Sequence, residues 1–157
     1  MNMIKNRIVD IAIFVLPILF YLVFWMIDGT IICVDSHTYI DMSLSREPLY
    51  PTFLAIVRFL VGPSAYLDVV TLLQSILMGI STYVLIAYLR KEFGLGILFT
   101  SLLLMVCFAV SLLCRFSAGR RSMYSNCIMT ESICIPIFFL FVRFMLEYLI
   151  FGGVEVL

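Results

Sequence analysis

The sequence predicts an all-α protein: a polytopic transmembrane helix bundle of about four spans, with two short interfacial helices in the first outer connection. Three observations carry this. Of 157 residues, 64% are hydrophobic and only 13% charged, whereas a soluble domain is roughly half apolar and a quarter charged. Mean hydropathy is +1.16. The apolar residues also fall in runs of the length a bilayer requires, about 20 residues for a hydrocarbon core about 30 Å thick. Formal net charge is zero, so no global field recommends nucleic acid as a partner. No internal repeat or low-complexity tract divides the chain, and residues 1–157 read as a single membrane domain.

The first span is expected over about Ile8–Ile27, behind Lys5 and Arg7. A cleaved signal peptide is the alternative, but the run exceeds a usual apolar core and Asp28-Gly29-Thr30 is a poor cleavage site. Pro17 inside it is tolerable in a membrane helix. From Asp28 to Ser64 the chain turns polar. Asp35 and Ser36 are natural N-caps for a helix over about Ser36–Ser45. Pro48 and Pro51 are expected to break the chain. Thr52–Leu60 then carries Phe53, Leu54, Ile56, Val57 and Leu60 around Arg58, a pattern suited to a helix lying in the membrane interface, and Gly62-Pro63 ends it.

A second span is expected over Tyr66–Leu89, stopping at Arg90-Lys91-Glu92. A third runs over Leu95–Cys114 with no charge. A fourth covers about Ser132–Ile150, where Arg143 and Glu147 stand at i,i+4 spacing and can pair or snorkel. The chain thus reads as an integral protein of a plasma or inner membrane. Lys5, Arg7, Arg90 and Lys91 favour a cytoplasmic N-terminus, although with Arg143 the five inner basic residues equal the five outer arginines.

Two polar connections hold the chemistry. In "VDSHTYIDMSLSREPLYP", residues 34–51, Asp35 is either an N-cap or a carboxylate aimed at a substrate from the membrane boundary. Asp41 reads as a solvated helix face. His37 is off Asp35's helical face and has no second histidine to form a metal set. Arg46 either pairs with Glu47 at the surface or holds a phosphate, which guanidinium geometry suits. Tyr39 and Tyr50 read most simply as interfacial aromatics. In "RFSAGRRSMYSNCIMTES", residues 115–132, Arg115, Arg120 and Arg121 are either contacts to anionic lipid headgroups or a cradle for a lipid phosphate. Glu131 opens the fourth span, where an acid is a cap or a functional ionisable group. Within the second span, Gln74 reads as interhelical glue. Cys33 and Cys127, in the two connections, could pair if both face an oxidising compartment.

These connections resemble the N-terminal part of the GT-C membrane glycosyltransferases, particularly family 39 and the dolichyl-phosphate-mannose or aminoarabinose transferase-like group. Val34-Asp35-Ser36 with Tyr39 resembles the start of that family's first outer loop. Arg46-Glu47-Pro48-Leu49-Tyr50-Pro51 is similar to its lead-in to a second juxtamembrane helix, and Thr130-Glu131 to the acid opening its fourth helix. The resemblance runs over the whole chain, which is then a truncated module or the N-terminal fragment of a split gene. It implies transfer of a sugar from a polyprenyl-phosphate donor at the outer face, with Asp35 as general base. Arginines would hold the leaving phosphate, and Tyr39, Tyr50 and Glu131 would line the substrate site. Some members bind a divalent metal ion, which Glu131 could support. On this reading Asp35 and Glu131 face each other across one outer cleft. The alternative is a non-catalytic membrane subunit that packs with another multi-span protein. A small transporter or channel subunit ranks last, because the third span offers only Ser, Thr and Cys as polar groups.

Overall fold

The computed structural model describes residues 2–117 and 122–152. Six α-helices are present among them: α1 (Asn2–Asp28), α2 (Ser36–Ile40), α3 (Leu49–Val61), α4 (Tyr66–Glu92), α5 (Ile97–Ser117) and α6 (Glu131–Glu147). A 3-10 turn, Tyr124–Asn126, precedes α6, and a π-helical turn, Tyr148–Gly152, follows it. The expected all-α bundle is what is found. Three helices are long and apolar enough to cross a membrane: Ile8–Asp28 of α1, Tyr66–Glu92, and Glu131–Ile150. The fourth, α5, is a single 21-residue helix. Its described side chains make an apolar stretch of Ile97–Leu112, short of the roughly 20 residues a span takes.

Helix α4 is the axis on which the others pack, touching α1, α3, α5 and α6. In its most apolar window 56% of residues are buried, against 17% for α1 and 6% for α6. Its buried face suits this central place, because small and polar residues, Thr71, Ser75, Gly79, Ser81 and Thr82, are interspersed there with Val70, Met78, Leu85 and Ile86. Helices surrounded by lipid gain nothing from burying Leu against Leu. They associate where small residues let backbones approach. Gly79 is such a point: a Cβ added there would lie 2.7 Å from the Ile18 Cα. Thr82 and Ser81 return their hydroxyls to the Met78 carbonyl within the helix, so neither arrives at the interface with an unmet donor.

The long helices alternate in direction. Trp25 Nε1 donates to Thr71 Oγ1 at 3.0 Å near the C-terminal end of α1, and Arg90 pairs with Asp10 at the other. Helix α5 returns along α1: Phe20 stacks on Phe108 with centroids 3.9 Å apart, the Tyr21 hydroxyl meets Ser111 Oγ at 2.8 Å, and Arg115 reaches Asp28. Helix α6 then runs back, placing Arg143 over the Tyr88 ring at 5.2 Å. Arg143 also binds Glu147 through both guanidinium nitrogens, as the i,i+4 spacing suggested. Both polar connections therefore lie at one end of the bundle.

Three local expectations are corrected. Helix α2 ends at Ile40, not near Ser45, because Met42 takes a left-handed φ of 51°, a conformation non-glycine residues leave helices to adopt. Helix α3 begins at Leu49, not Thr52: Pro48 is its N-cap and Pro51 sits in its first turn, where proline's missing N–H has no helical partner to lose. Asp35 is the N-cap residue of α2, as expected, but its carboxylate makes no capping bond. It is held elsewhere, as described below.

The Gly79 contact yields a direct test. Gly79→Ala should lower the thermal unfolding midpoint of the detergent-solubilised protein by an amount corresponding to about 1–3 kcal/mol. The nearest obstacle is backbone, so trimming Ile18 to Ala should not restore it.

Candidate functional site at the loop end of the bundle

Residues 122–130 form a largely buried strap across this end, irregular apart from the 3-10 turn Tyr124–Asn126. Ser122, Met123 and Ser125 to Met129 are all buried. A strap without its own ladder must find partners for its backbone, and serine, threonine and amide side chains supply them. Gln74 Nε2 donates to the carbonyls of Ser125 (3.2 Å) and Cys127 (3.0 Å). Ser36 Oγ donates to the Ile128 carbonyl at 2.7 Å and accepts the Cys33 N–H at 2.7 Å. Ser132 Oγ donates to the Cys127 carbonyl at 2.8 Å. Asn126 Nδ2 donates to the Phe24 carbonyl at 3.0 Å, and Asn126 Oδ1 accepts from Ser75 Oγ at 3.3 Å. Ile31 and Cys127 form an isolated parallel bridge, through Ile31 N–H to the Asn126 carbonyl (2.8 Å) and Ile128 N–H to the Ile31 carbonyl (3.1 Å). Gln74 is thus glue, as its position implied, but it ties α4 to the strap and α3 rather than to a neighbouring span.

Tyr39 and Tyr50 are not interfacial aromatics. Both are buried in the main apolar cluster with Leu54, Val57, Val70 and Ile128, and they meet edge-to-face with centroids 5.3 Å apart. The Tyr50 hydroxyl donates to Gln74 Oε1 at 2.9 Å. Burial pushes its phenol well above the ordinary tyrosine range, with the Met129 backbone pulling the other way. The Tyr39 hydroxyl shares a 2.7 Å hydrogen bond with Thr130 Oγ1.

Above this floor lies an acid–guanidinium pair. Arg46 Nη2 donates to Asp35 Oδ1 at 2.9 Å, Arg46 Nε to Thr38 Oγ1 at 2.8 Å, and its guanidinium stacks over the Tyr39 ring at 4.8 Å. Arg46 therefore pairs with Asp35, not with Glu47, since the α2 turn folds residue 46 back over residue 35. The Asp35 side chain stays 59% exposed, so the pair contributes about 1 kcal/mol at most to stability and leaves a carboxylate open to solvent.

Arg115 lies elsewhere at this end. It pairs with Asp28 Oδ2 at 2.5 Å and stacks over Phe24 at 5.1 Å, and Ser122 Oγ also donates to that carboxylate. Asp28 is itself nearly buried. The sequence did carry a signal for this pair: an acid in the last turn of one long helix and an arginine in the last turn of another, which alternation of direction brings to the same end. Arg120 and Arg121 lie outside the described residues. Glu131 is exposed at the first turn of α6 and lines a shallow apolar groove with Tyr124, Cys134, Ile135 and Phe138. The groove Arg46 lines, with Met42, Leu44 and Pro48, is a different one. The acids share one end of the molecule and their chain neighbours touch through Tyr39 and Thr130.

Cys33 and Cys127 remain thiols. The Cys127 thiol donates to the Met123 carbonyl. Among the described residues no group of three or more His, Cys, Asp and Glu side chains converges, and Asp35 is engaged by Arg46. The described residues at this end do not fit a divalent metal ion.

No family model, curated protein or solved structure matches the chain. What the site does is therefore argued from its geometry.

Tyr50→Phe removes the donor to a buried Gln74 oxygen, which should destabilise the protein by about 1–3 kcal/mol in thermal or denaturant unfolding. The pH dependence has a definite sign. The native phenol keeps its proton where the unfolded chain loses it, so the contribution is full below about pH 10 and declines as pH rises above that value. The stability gap between the protein and Tyr50→Phe should accordingly narrow in alkali.

Proposed function

We propose that the chain is a GT-C-like glycosyltransferase module, acting on a polyprenyl-phosphate sugar at the loop end of its bundle. The observation that carries this reading is the Tyr39 junction. One ring underlies the Asp35–Arg46 pair and its hydroxyl meets Thr130, linking the acid of the first connection to the acid-bearing start of α6. The three sequence stretches behind the family resemblance are thereby neighbours.

The chemistry that follows is an inverting displacement. An acceptor hydroxyl attacks the anomeric carbon, and its proton passes to the Asp35 carboxylate. The bond from that carbon to the phosphate oxygen breaks, and the polyprenyl phosphate leaves with the electron pair. Arg46 keeps Asp35 oriented and carries positive charge beside it, where an arriving phosphate gains from a guanidinium. The loop end would face outward, with the N-terminus in the cytoplasm. Lys5, Arg7, Arg90 and Lys91 all belong to the opposite end of the helices that carry them, which the positive-inside preference favours.

A second reading, a non-catalytic subunit, is favoured by α6. Its exposed face presents Ile137, Phe138, Phe141 and Phe144, an apolar face against which a partner's span could pack. The two readings separate experimentally. Membranes carrying the protein, supplied with radiolabelled polyprenyl-phosphate hexoses or pentoses, should transfer label, and Asp35→Asn should reduce the rate about 10²–10⁴-fold. Undiminished transfer by Asp35→Asn would remove the base role. No transfer by either form, with a second multi-span protein co-purifying, would favour the subunit.

A further inference from the structure

Arg58 differs from the other outer arginines whose side chains are described. Arg46 is paired with Asp35 and Arg115 with Asp28. Among the described residues Arg58 has no carboxylate partner, and its guanidinium rests over the Tyr66 ring at 5.5 Å. It borders a groove of about 340 Å³ whose other walls are apolar, chiefly Ile40, Met42, Leu54, Phe59 and Tyr66. The position is fixed from below. Leu54 and Val57 are buried, and the Gly62 N–H closes on the Arg58 carbonyl at 3.0 Å. Gly62 holds φ at +86°, a value suited to glycine, and the chain turns away there, leaving the groove open.

The surroundings say where this groove sits. Helix α3 has 13 residues, about 20 Å at 1.5 Å per residue, too short to span a bilayer. Yet Ile56, Phe59, Leu60 and Val61 are exposed beside Arg58. A short helix with a buried face, an exposed apolar edge and one cation lies along a membrane surface at headgroup depth. At that depth an unpaired guanidinium meets lipid phosphates.

We propose that this groove binds one anionic phospholipid. Its phosphodiester accepts hydrogen bonds from the Arg58 guanidinium, and the first methylenes of its chains cover Ile40, Leu54 and Phe59. A free phosphate ion would answer the charge but leave the walls uncovered, which is why a lipid is the occupant. The site is separate from the Asp35–Arg46 pair and stands whether or not the chain transfers sugars.

The test uses the full chain in a non-ionic detergent, titrated with phosphatidylglycerol or phosphatidylcholine and followed by native mass spectrometry. The protein should retain one phosphatidylglycerol at concentrations where phosphatidylcholine is not retained. Arg58→Gln should weaken retention about fivefold, the effect of one basic residue near anionic lipid. Arg58→Lys should keep most of it, and Lys91→Gln, at the opposite end, should match the parent. Equal retention by Arg58→Gln overturns the site. So does loss in Lys91→Gln alone, which would move the lipid to the Arg90–Lys91 end. Binding of inorganic phosphate with no retention of phosphatidylglycerol would show an anion site without a lipid, and would also overturn it.

Discussion

The architecture depends on the buried amide of Gln74. A strap of irregular backbone closes the loop end of a bundle whose exterior is apolar, and hydrocarbon offers no substitute hydrogen bonds for such a strap. Gln74 resolves this from the central helix. Its nitrogen holds two strap carbonyls, and its oxygen receives the Tyr50 hydroxyl from α3. One side chain therefore fixes the relative positions of three segments. Ser36, Ser132 and Asn126 extend the same solution outward. Everything chemically interesting at this end is built on that frame: Tyr39 packs on Tyr50, Arg46 on Tyr39, and Asp35 on Arg46.

The molecule thus has two ends of different construction. The loop end is cross-linked by buried polar groups of high sequence separation. At the other, α1 and α4 are joined by a half-exposed ion pair, Asp10 with Arg90, which contributes little. Between them the helices meet through small residues and stacked aromatics. This polarity gives the functional reading its physical content, because polar groups too costly to leave unmet in lipid have been gathered at the end that carries both polar connections.

Much of this was legible in the sequence, for identifiable reasons. Long apolar runs bounded by charge fixed the helices to within a few residues, because a span's length is dictated by the bilayer. The Arg143–Glu147 pair followed from helical spacing alone. The site was less readable. Tyr39 and Tyr50 looked like belt aromatics because nothing local says that residues near 128 fold over them. Asp35 looked like a cap because capping is the commonest work for an acid before a helix, and its true partner, Arg46, is brought back by a left-handed turn at Met42 that no turn-forming residue advertises. The Ser75-x-x-x-Gly79 spacing on α4 did carry the signal for close helix approach, and it is there that the Ile18 backbone lies nearest.

The reach of the Gln74 contacts has a consequence for biogenesis. Its strap partners lie 51 and 53 residues further along the chain. At roughly 5–20 residues per second of translation, the amide is made several seconds before the carbonyls that will receive it. During that interval the nascent helix carries a strongly polar group into the translocon's surroundings with Tyr50 as its earlier-made partner. The connection before α6 emerges after α1 to α5 and is the one that locks the first four helices, so vectorial insertion forms these contacts only after those helices have been made.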